Sequence, residues 1–375
     1  MTTLTRRDVL ALRLRAQRLA EPAPGPAQVV DDMVAVQGQD LGAVLWAIAR
    51  RTPGASADDV RAAFTRGEIV RSWPMRGTLH AVASTDLHAL LDLTAGRTLT
   101  SMTRRRAELA ITDADVAVVR DVALTLLGAA PARRAALLAA FEEAGQTTSG
   151  QRGYHLIVTL ALEGVLACGP FDGDEQLFAL LAPRAGARPA AEDTLRGVAL
   201  RYVRARGPVT VADLAWWTKL PLTGWRGALA ALAAGGAVVE VQTGGGPAWV
   251  DPAVLDALGA PGAGRADVVA LLPGFDELLL GYADRTASLD VAHASSIVPG
   301  GNGVFRPVLT HRGRVLGTWM RRRSGDVVDV RLEPFVGALP GVVLRRARAE
   351  ARRYAAFLGA RLGDVGVSDQ EVDAQ

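Results

Sequence analysis

Residues 56–82, SADDVRAAFTRGEIVRSWPMRGTLHAV, change character midway. Positions 56–66 read as a capped helix, and 69–82 read as two short strands turning around Pro74-Met75-Arg76-Gly77. Helices followed by a strand pair make the winged form of a helix-turn-helix. Upstream, 4–19 carries Leu4, Val9, Leu12, Leu14 and Leu19 as the apolar positions of a helix that ends in the proline-rich EPAPGPA. A second helix is expected over 27–36, and a third runs through Leu41, Val44, Leu45, Ile48 and Ala49. Between these two lies Gln37-Gly38-Gln39-Asp40. On a continuous helix, residues two apart point about 200° apart and cannot serve one ligand. Gly38 is therefore expected to supply the positive φ of a helix stop, and Asp40 to cap the next helix.

The pattern of helices and then a hairpin recurs twice. Helices at 132–144 and 153–163 precede a hairpin over 165–181 that turns near Phe171-Asp172-Gly173-Asp174. Helices at 194–206, 211–217 and 223–234 precede strands at 238–241 and 248–250, joined by Gly244-Gly245-Gly246. Pro/Gly/Ala-rich linkers are expected at 182–191 and 258–264. Beyond them, strands at 268–272, 304–309, 315–320 and 327–332 suggest an antiparallel sheet, with a closing helix over 342–362. The fold class is α+β, mainly helical: three tandem winged helix-turn-helix units plus a C-terminal antiparallel β-sheet region. The corresponding division is 1–95, 96–185, 192–257 and 265–375.

A length of 375 residues predicts two to four folding units. Hydrophobic content of 49% and charged content of 22% exclude a disordered chain. The apolar run 116–127 is broken by Arg120 and Asp121 and is shorter than the ~20 residues of a spanning helix. No signal peptide is visible in MTTLTRRDVL, so a cytoplasmic location and no membrane partner are expected. Cys168 is the only cysteine, and the five histidines show no ligand-like pairing, so neither a metal nor another cofactor is expected. Net charge is only +3, and every basic side chain but Lys219 is arginine. Arginine suits phosphate forks and base edges, so local clusters matter more than the total.

Three stretches carry a family resemblance. They are Gln37-Gly38-Gln39, the run from Arg71 to His80 (RSWPMRGTLH) and the run from Pro273 to Arg285 (PGFDELLLGYADR). In that order they resemble the bacterial winged-helix DNA glycosylases of the AlkZ/YcaQ type over nearly the whole chain. The resemblance implies a monofunctional enzyme that excises N7-alkylated purines from double-stranded DNA, unhooks interstrand crosslinks and leaves an abasic site. It also implies a monomer, and for the two-glutamine form a role in antibiotic self-resistance. The family's catalytic element is a glutamine, a middle residue and a second polar residue, matched here by Gln37 and Gln39. Where the family's middle residue is typically larger and apolar, this chain has Gly38.

Glutamine makes chemical sense there. A purine alkylated at N7 is already cationic, so its base departs without protonation, and an amide suffices to hold water beneath an oxocarbenium-like sugar. Arg76 at the first hairpin tip and Arg321-Arg322-Arg323 beside the Ser324-Gly325 turn are the expected DNA-binding residues. Six phosphate contacts would give a log–log salt slope near ~−5. Trp216, Trp217 and Trp225 read as core. Asp40 reads as an N-cap, and His80, Asp276, Glu277 and Asp284 as structural, with a buried Asp284–Arg285 arrangement. No lysine lies near the motif, which argues against a Schiff base. A reading from another class is a non-catalytic winged-helix regulator that binds a palindrome as a dimer.

Overall fold

The computed structural model describes residues 2–368 apart from 185, 257, 259–266 and 302. The second expected linker, 258–264, lies outside the described residues but for its first position. Helix α1 (Arg6–Ala16) begins with a capping box, Thr5 and Asp8 bonding reciprocally. Then follow α2 (Pro26–Met33), β1 (Val36–Gln37), α3 (Leu41–Arg50), α4 (Ala57–Thr65), β2 (Ile69–Met75) and β3 (Thr78–Ala83). The capped helix and hairpin of 56–82 are thus present, and the hairpin turn carries positive φ at Arg76 and Gly77.

Two helices then run where the sequence pattern was silent, α5 (Leu87–Glu108) and α6 (Asp113–Ala129). Fully buried residues on α5 stop at Ala95, and beyond it only Leu99 and Met102 pack, partly buried, against the core. Next come α7 (Arg134–Glu143), α8 (Arg152–Leu162), β4 (Leu166–Asp172) and β5 (Glu175–Leu180). They are followed by α9 (Ala191–Arg206), α10 (Val211–Thr218), α11 (Leu222–Ala234), β6 (Val239–Thr243), β7 (Gly246–Val250) and α12 (Pro252–Asp256).

One layout occurs three times in this order: a helix, a short extended segment, two helices, and a hairpin whose returning strand pairs with that segment. The pairings are Val36↔Ala81 and Gln37↔His80 in the first, Ala132↔Phe178 in the second and Val209↔Trp249 in the third. The first two hairpins merge, through Arg71↔Cys168, into one five-stranded sheet of order β1-β3-β2-β4-β5.

The remaining elements are β8 (Val269–Leu272), α13 (Glu277–Leu280), α14 (Ala294–Ile297), β9 (Val308–His311), β10 (Arg314–Ser324), β11 (Val327–Pro334), α15 (Gly341–Phe357) and β12 (Arg361–Val367). The second sheet has the order β12-β11-β10-β9-β8. It is mixed rather than purely antiparallel, because β12 runs parallel to β11. The closing helix accordingly ends at Phe357 and not at 362, and 361–367 becomes an edge strand. Trp46 of α3 packs edge-on against Tyr354 of α15, their ring centroids 5.0 Å apart, and this contact seats the first unit on the second sheet. Trp217 and Trp225 are fully buried, as expected, while Trp216 is half-buried. Among the described residues no helix is long and apolar enough to cross a membrane.

Candidate active site

Gln37 does not lie at the end of a helix that glycine stops. Helix α2 ends at Met33, and the positive φ belongs to Val34, at 64°. The chain then runs extended, and in extended backbone residues two apart share a face. The strand itself ends at Gln37, and Gln39 follows it at a bend. Gly38 serves a close approach instead. A Cβ there would lie 3.2 Å from Cδ of Arg71 and 3.3 Å from the Ala81 nitrogen. The Arg71 guanidinium donates to the Gly38 carbonyl at 2.9 Å, and the Gly38 N–H donates to Leu79 O at 2.8 Å.

Gln37 is 5% exposed, whereas Gln39 is open to solvent. The Gln37 Oε1 accepts the Gln39 backbone N–H at 3.1 Å, which fixes the orientation of its amide. The Gln39 Oε1 accepts the Leu79 N–H at 3.3 Å. Each carbonyl keeps a second lone pair, so both amides remain able to accept from a water or to face a developing positive charge. Asp40 is the N-cap of α3, as expected, accepting the Ala43 N–H at 2.9 Å.

Behind this strand lies a buried ion pair. Glu277 and Arg206 have fully buried side chains. The Glu277 Oε1 accepts the Gln37 N–H at 3.2 Å, and its Oε2 accepts from Arg206 at 2.6 Å and from Trp217 Nε1 at 3.1 Å. Arg206 in turn donates to Met33 O at 2.8 Å and Ala35 O at 2.9 Å, satisfying carbonyls at the end of α2. The neighbouring Asp276 pairs with buried Arg51 through two bonds of 2.8 and 2.9 Å. The expected Asp284–Arg285 arrangement is not formed: Asp284 is exposed and accepts the Thr286 N–H, while Arg285 donates to Leu279 O. The reason is local, since Asp276 caps α13 and all four residues of that helix are buried, which turns the 276–277 pair inward. A carboxylate heading an apolar run, as in FDELLL, is the signal that could have marked Glu277 as buried and in need of an arginine.

Cross-strand partners share a face of the sheet, so His80 stands beside Gln37. His80 is fully buried; its Nδ1 donates to Thr78 O and its Nε2 accepts from Arg76, both at 2.9 Å. Burial, and then the adjacent Arg76 guanidinium, push the imidazole well below its ordinary value of 6.5, so it is neutral at physiological pH. Arg76 sits at the hairpin tip, as expected, but folds back half-buried onto His80.

Arg321, Arg322 and Arg323 are exposed near the end of β10. Strand alternation splits them. Arg321 reaches over Tyr354, 5.6 Å from the ring centroid, and one of its nitrogens would be 3.8 Å from a Cβ added at Gly42. This brings the β10–β11 hairpin beside the start of α3 and hence beside Gln39-Asp40, a juxtaposition of residues nearly three hundred positions apart that the sequence did not reveal. Among the described residues no group of His, Cys, Asp and Glu is placed to hold a metal.

Comparison with known proteins bears on what such a site does. The family model described as "DNA glycosylase AlkZ-like" matches residues 30–357. The "Interstrand DNA cross-link repair glycosylase" of Streptomyces sahachiroi is 28% identical over 354 residues, which span 87% of this chain and 89% of that protein. The solved structure of "Streptomyces sahachiroi DNA glycosylase AlkZ" aligns with a TM-score of 0.80 and 23% identity over 98% of this chain and 100% of that one, a likeness of fold.

Proposed function

The chain belongs to the AlkZ-like DNA glycosylase family, and from that premise we propose that it is a monofunctional glycosylase that excises N7-alkylated purines and unhooks interstrand crosslinks built from them. The three repeated layouts are read as winged helices, and the β10–β11 hairpin as the element that enters a groove of duplex DNA. Gln37 and Gln39 hold the attacking water and turn carbonyl dipoles toward the oxocarbenium-like sugar.

The observation that carries this reading is that, among the described residues, the buried groups beside the Gln37 strand include no carboxyl free to protonate a leaving base. Glu277 is saturated by Arg206, Trp217 and the Gln37 N–H, His80 is neutral, and the exposed Asp40 spends one carboxylate oxygen as a cap. Such a site gives little help to a neutral leaving base, which needs a proton. It suits a base that alkylation has already made cationic. The strand also lies at the surface through Gln39 rather than at the bottom of a deep cavity, which fits a base still tethered to the opposite strand. The cleft lined by Lys219 includes neither glutamine, in keeping with hydrolysis without a Schiff base.

The test is a duplex carrying a single N7-methylguanine, incubated with the protein and treated with alkali. Strand cleavage above a buffer control is expected. No cleavage on either that duplex or a crosslinked one would remove the proposal. Gln37→Ala and Gln39→Ala should each lower single-turnover excision by roughly 10²-fold or more, as for loss of a dipole aimed at the transition state, with duplex affinity little changed.

A further inference from the structure

A second feature of the molecule lies one residue's reach from the Gln37 strand. Arg76 at the β2–β3 turn, Arg97 and Ser101 on α5, Tyr154 and His155 on α8, and Lys219 just past α10 line a cleft of about 330 Å³. All three repeated units contribute to it. No carboxylate lines the cleft, and Arg76, Arg97 and Lys219 have no ion-pair partner among the described residues, although most arginines elsewhere do. Arg76 forms the half-buried floor; Arg97 and Lys219 stand exposed at the rim.

Two of these cations are held in place by something other than an anion. Because Nδ1 of His80 donates to Thr78 O, its Nε2 is the lone-pair side, and it takes one N–H of Arg76. That bond aims the rest of the guanidinium fork. The Lys219 Nζ lies 3.8 Å from the Trp216 ring centroid. Its backbone, at φ 60°, occupies the left-handed position after a helix where glycine is usual. Burial, and then Arg76 and Arg285, hold the Lys219 ammonium below its ordinary range, so like charges crowd here with no carboxylate in the cleft itself. An external anion would relieve that crowding.

We propose that this cleft binds one backbone phosphate of the DNA strand being processed, with Arg76 as the floor and Arg97 and Lys219 as the rim. The inference rests on the reading that the protein acts on DNA, and adds where the strand is gripped. Cross-strand neighbours stand about 5 Å apart and His80 touches Arg76, so the bound phosphate lies roughly 10 Å from the Gln37 amide. Because Arg76 is oriented by His80, and His80 flanks Gln37, filling the cleft registers the strand against the catalytic pair.

Lys219 is the sole lysine, so full-length protein labelled with ¹³Cε-lysine gives one side-chain reporter of the cleft. Titration with a short duplex should shift that resonance in step with binding followed by fluorescence anisotropy. Arg97→Gln should reduce the log–log salt slope of binding by about 0.9, the effect of one lost phosphate contact, and Arg97→Lys should restore it. A parallel titration with inorganic phosphate separates the two sources of the anion. A shift with phosphate but none with duplex would mark a pocket for a free anion and overturn the assignment. Binding by anisotropy with a silent Lys219 resonance and an unchanged slope in Arg97→Gln would overturn it too, leaving the glycosylase reading intact. If the protein neither binds duplex nor cleaves the N7-methylguanine substrate, both fall together.

Discussion

Two sets of arginines lie around the Gln37 strand, and they are in opposite chemical states. In the first, Arg206 and Arg51 are fully buried, and each spends its donors on a carboxylate and on backbone carbonyls. In the second, Arg321, Arg322 and Arg323 are exposed on a hairpin and Arg76 is folded onto a neutral histidine, with no ion pair to any of them among the described residues. The same residue type thus acts as a fastener in one set and as free positive charge in the other. Net charge reports neither role, because a total of +3 averages saturated pairs with an uncompensated face. Partner status is what separates the two.

The contrast is broken most directly by removing a fastener. Glu277→Ala leaves Arg206 charged, buried and short of its carboxylate, and should cost ~3–5 kcal/mol of stability. Urea unfolding of the two proteins measures this. A loss below about 1 kcal/mol would mean that the pair is not the element holding the Gln37 strand. The free set should behave in reverse. Arg321→Gln with Arg323→Gln should change stability by no more than about 0.5 kcal/mol, as for ordinary surface substitutions. The salt slope of duplex binding should fall by about 2 if both touch phosphates. Arg322→Gln sharpens the point, since strand alternation turns Arg322 away from the face shared by Arg321 and Arg323. A single substitution there that matched the double one would contradict the alternation.

The asymmetry also explains what could be read in advance. Local signals were legible: Ser56 and Asp59 form the capping box of α4, Asp40 caps α3, and turn residues such as Gly325 mark the hairpins. Gln37 and Gln39 were picked out through motif resemblance, but the helix stop expected between them is replaced by a short strand. A two-residue strand such as β1 has too few positions to show a period, and its existence depends on pairing with β3, more than forty residues away. The pairing of Glu277 with Arg206 was out of reach for the same reason, since their contact joins positions 71 apart. The parallel edge strand β12 was hidden because 361–367 alternates weakly and is largely exposed. Long-range pairing made the site, and single-sequence patterns do not carry it.

A smaller effect is expected at Gly38. In Gly38→Ala the new methyl group would meet Arg71 Cδ at 3.2 Å and the Ala81 nitrogen at 3.3 Å. Arg71 can yield by a few tenths of an ångström because it is a long side chain; the backbone of β3 cannot yield as easily. The expected cost is about 1 kcal/mol, at the lower edge of overpacking. Excision should weaken more than stability does, because the substitution pushes on the segment joining the two glutamines. Thermal melts and single-turnover excision measured on the same variant separate the two losses. Equal retention of both would show that the close approach at Gly38 does not set the spacing of the pair.

His80 carries the smallest effect, and its sign follows from its burial and partners. It donates to Thr78 O, accepts from Arg76 and is fully buried, so the folded protein keeps the imidazole neutral well below 6.5, while the unfolded chain protonates it near that value. Between the folded and unfolded pKa values, the unfolded state therefore binds a proton that the folded state does not. By linkage, stability rises with pH through that window and falls on acidification below 6.5, with a contribution of at most ~1.4 kcal/mol per pH unit from one group. His80→Gln keeps a donor and an acceptor but does not titrate. Urea unfolding of the wild type and His80→Gln from about pH 5 to about pH 7 should give a shallower dependence in the variant, with the two curves converging toward neutrality. Parallel curves would mean that His80 gains its proton without penalty in the folded state. In that case the floor beneath Arg76 would be cationic rather than neutral, and the free positive face would reach inward as far as Gln37.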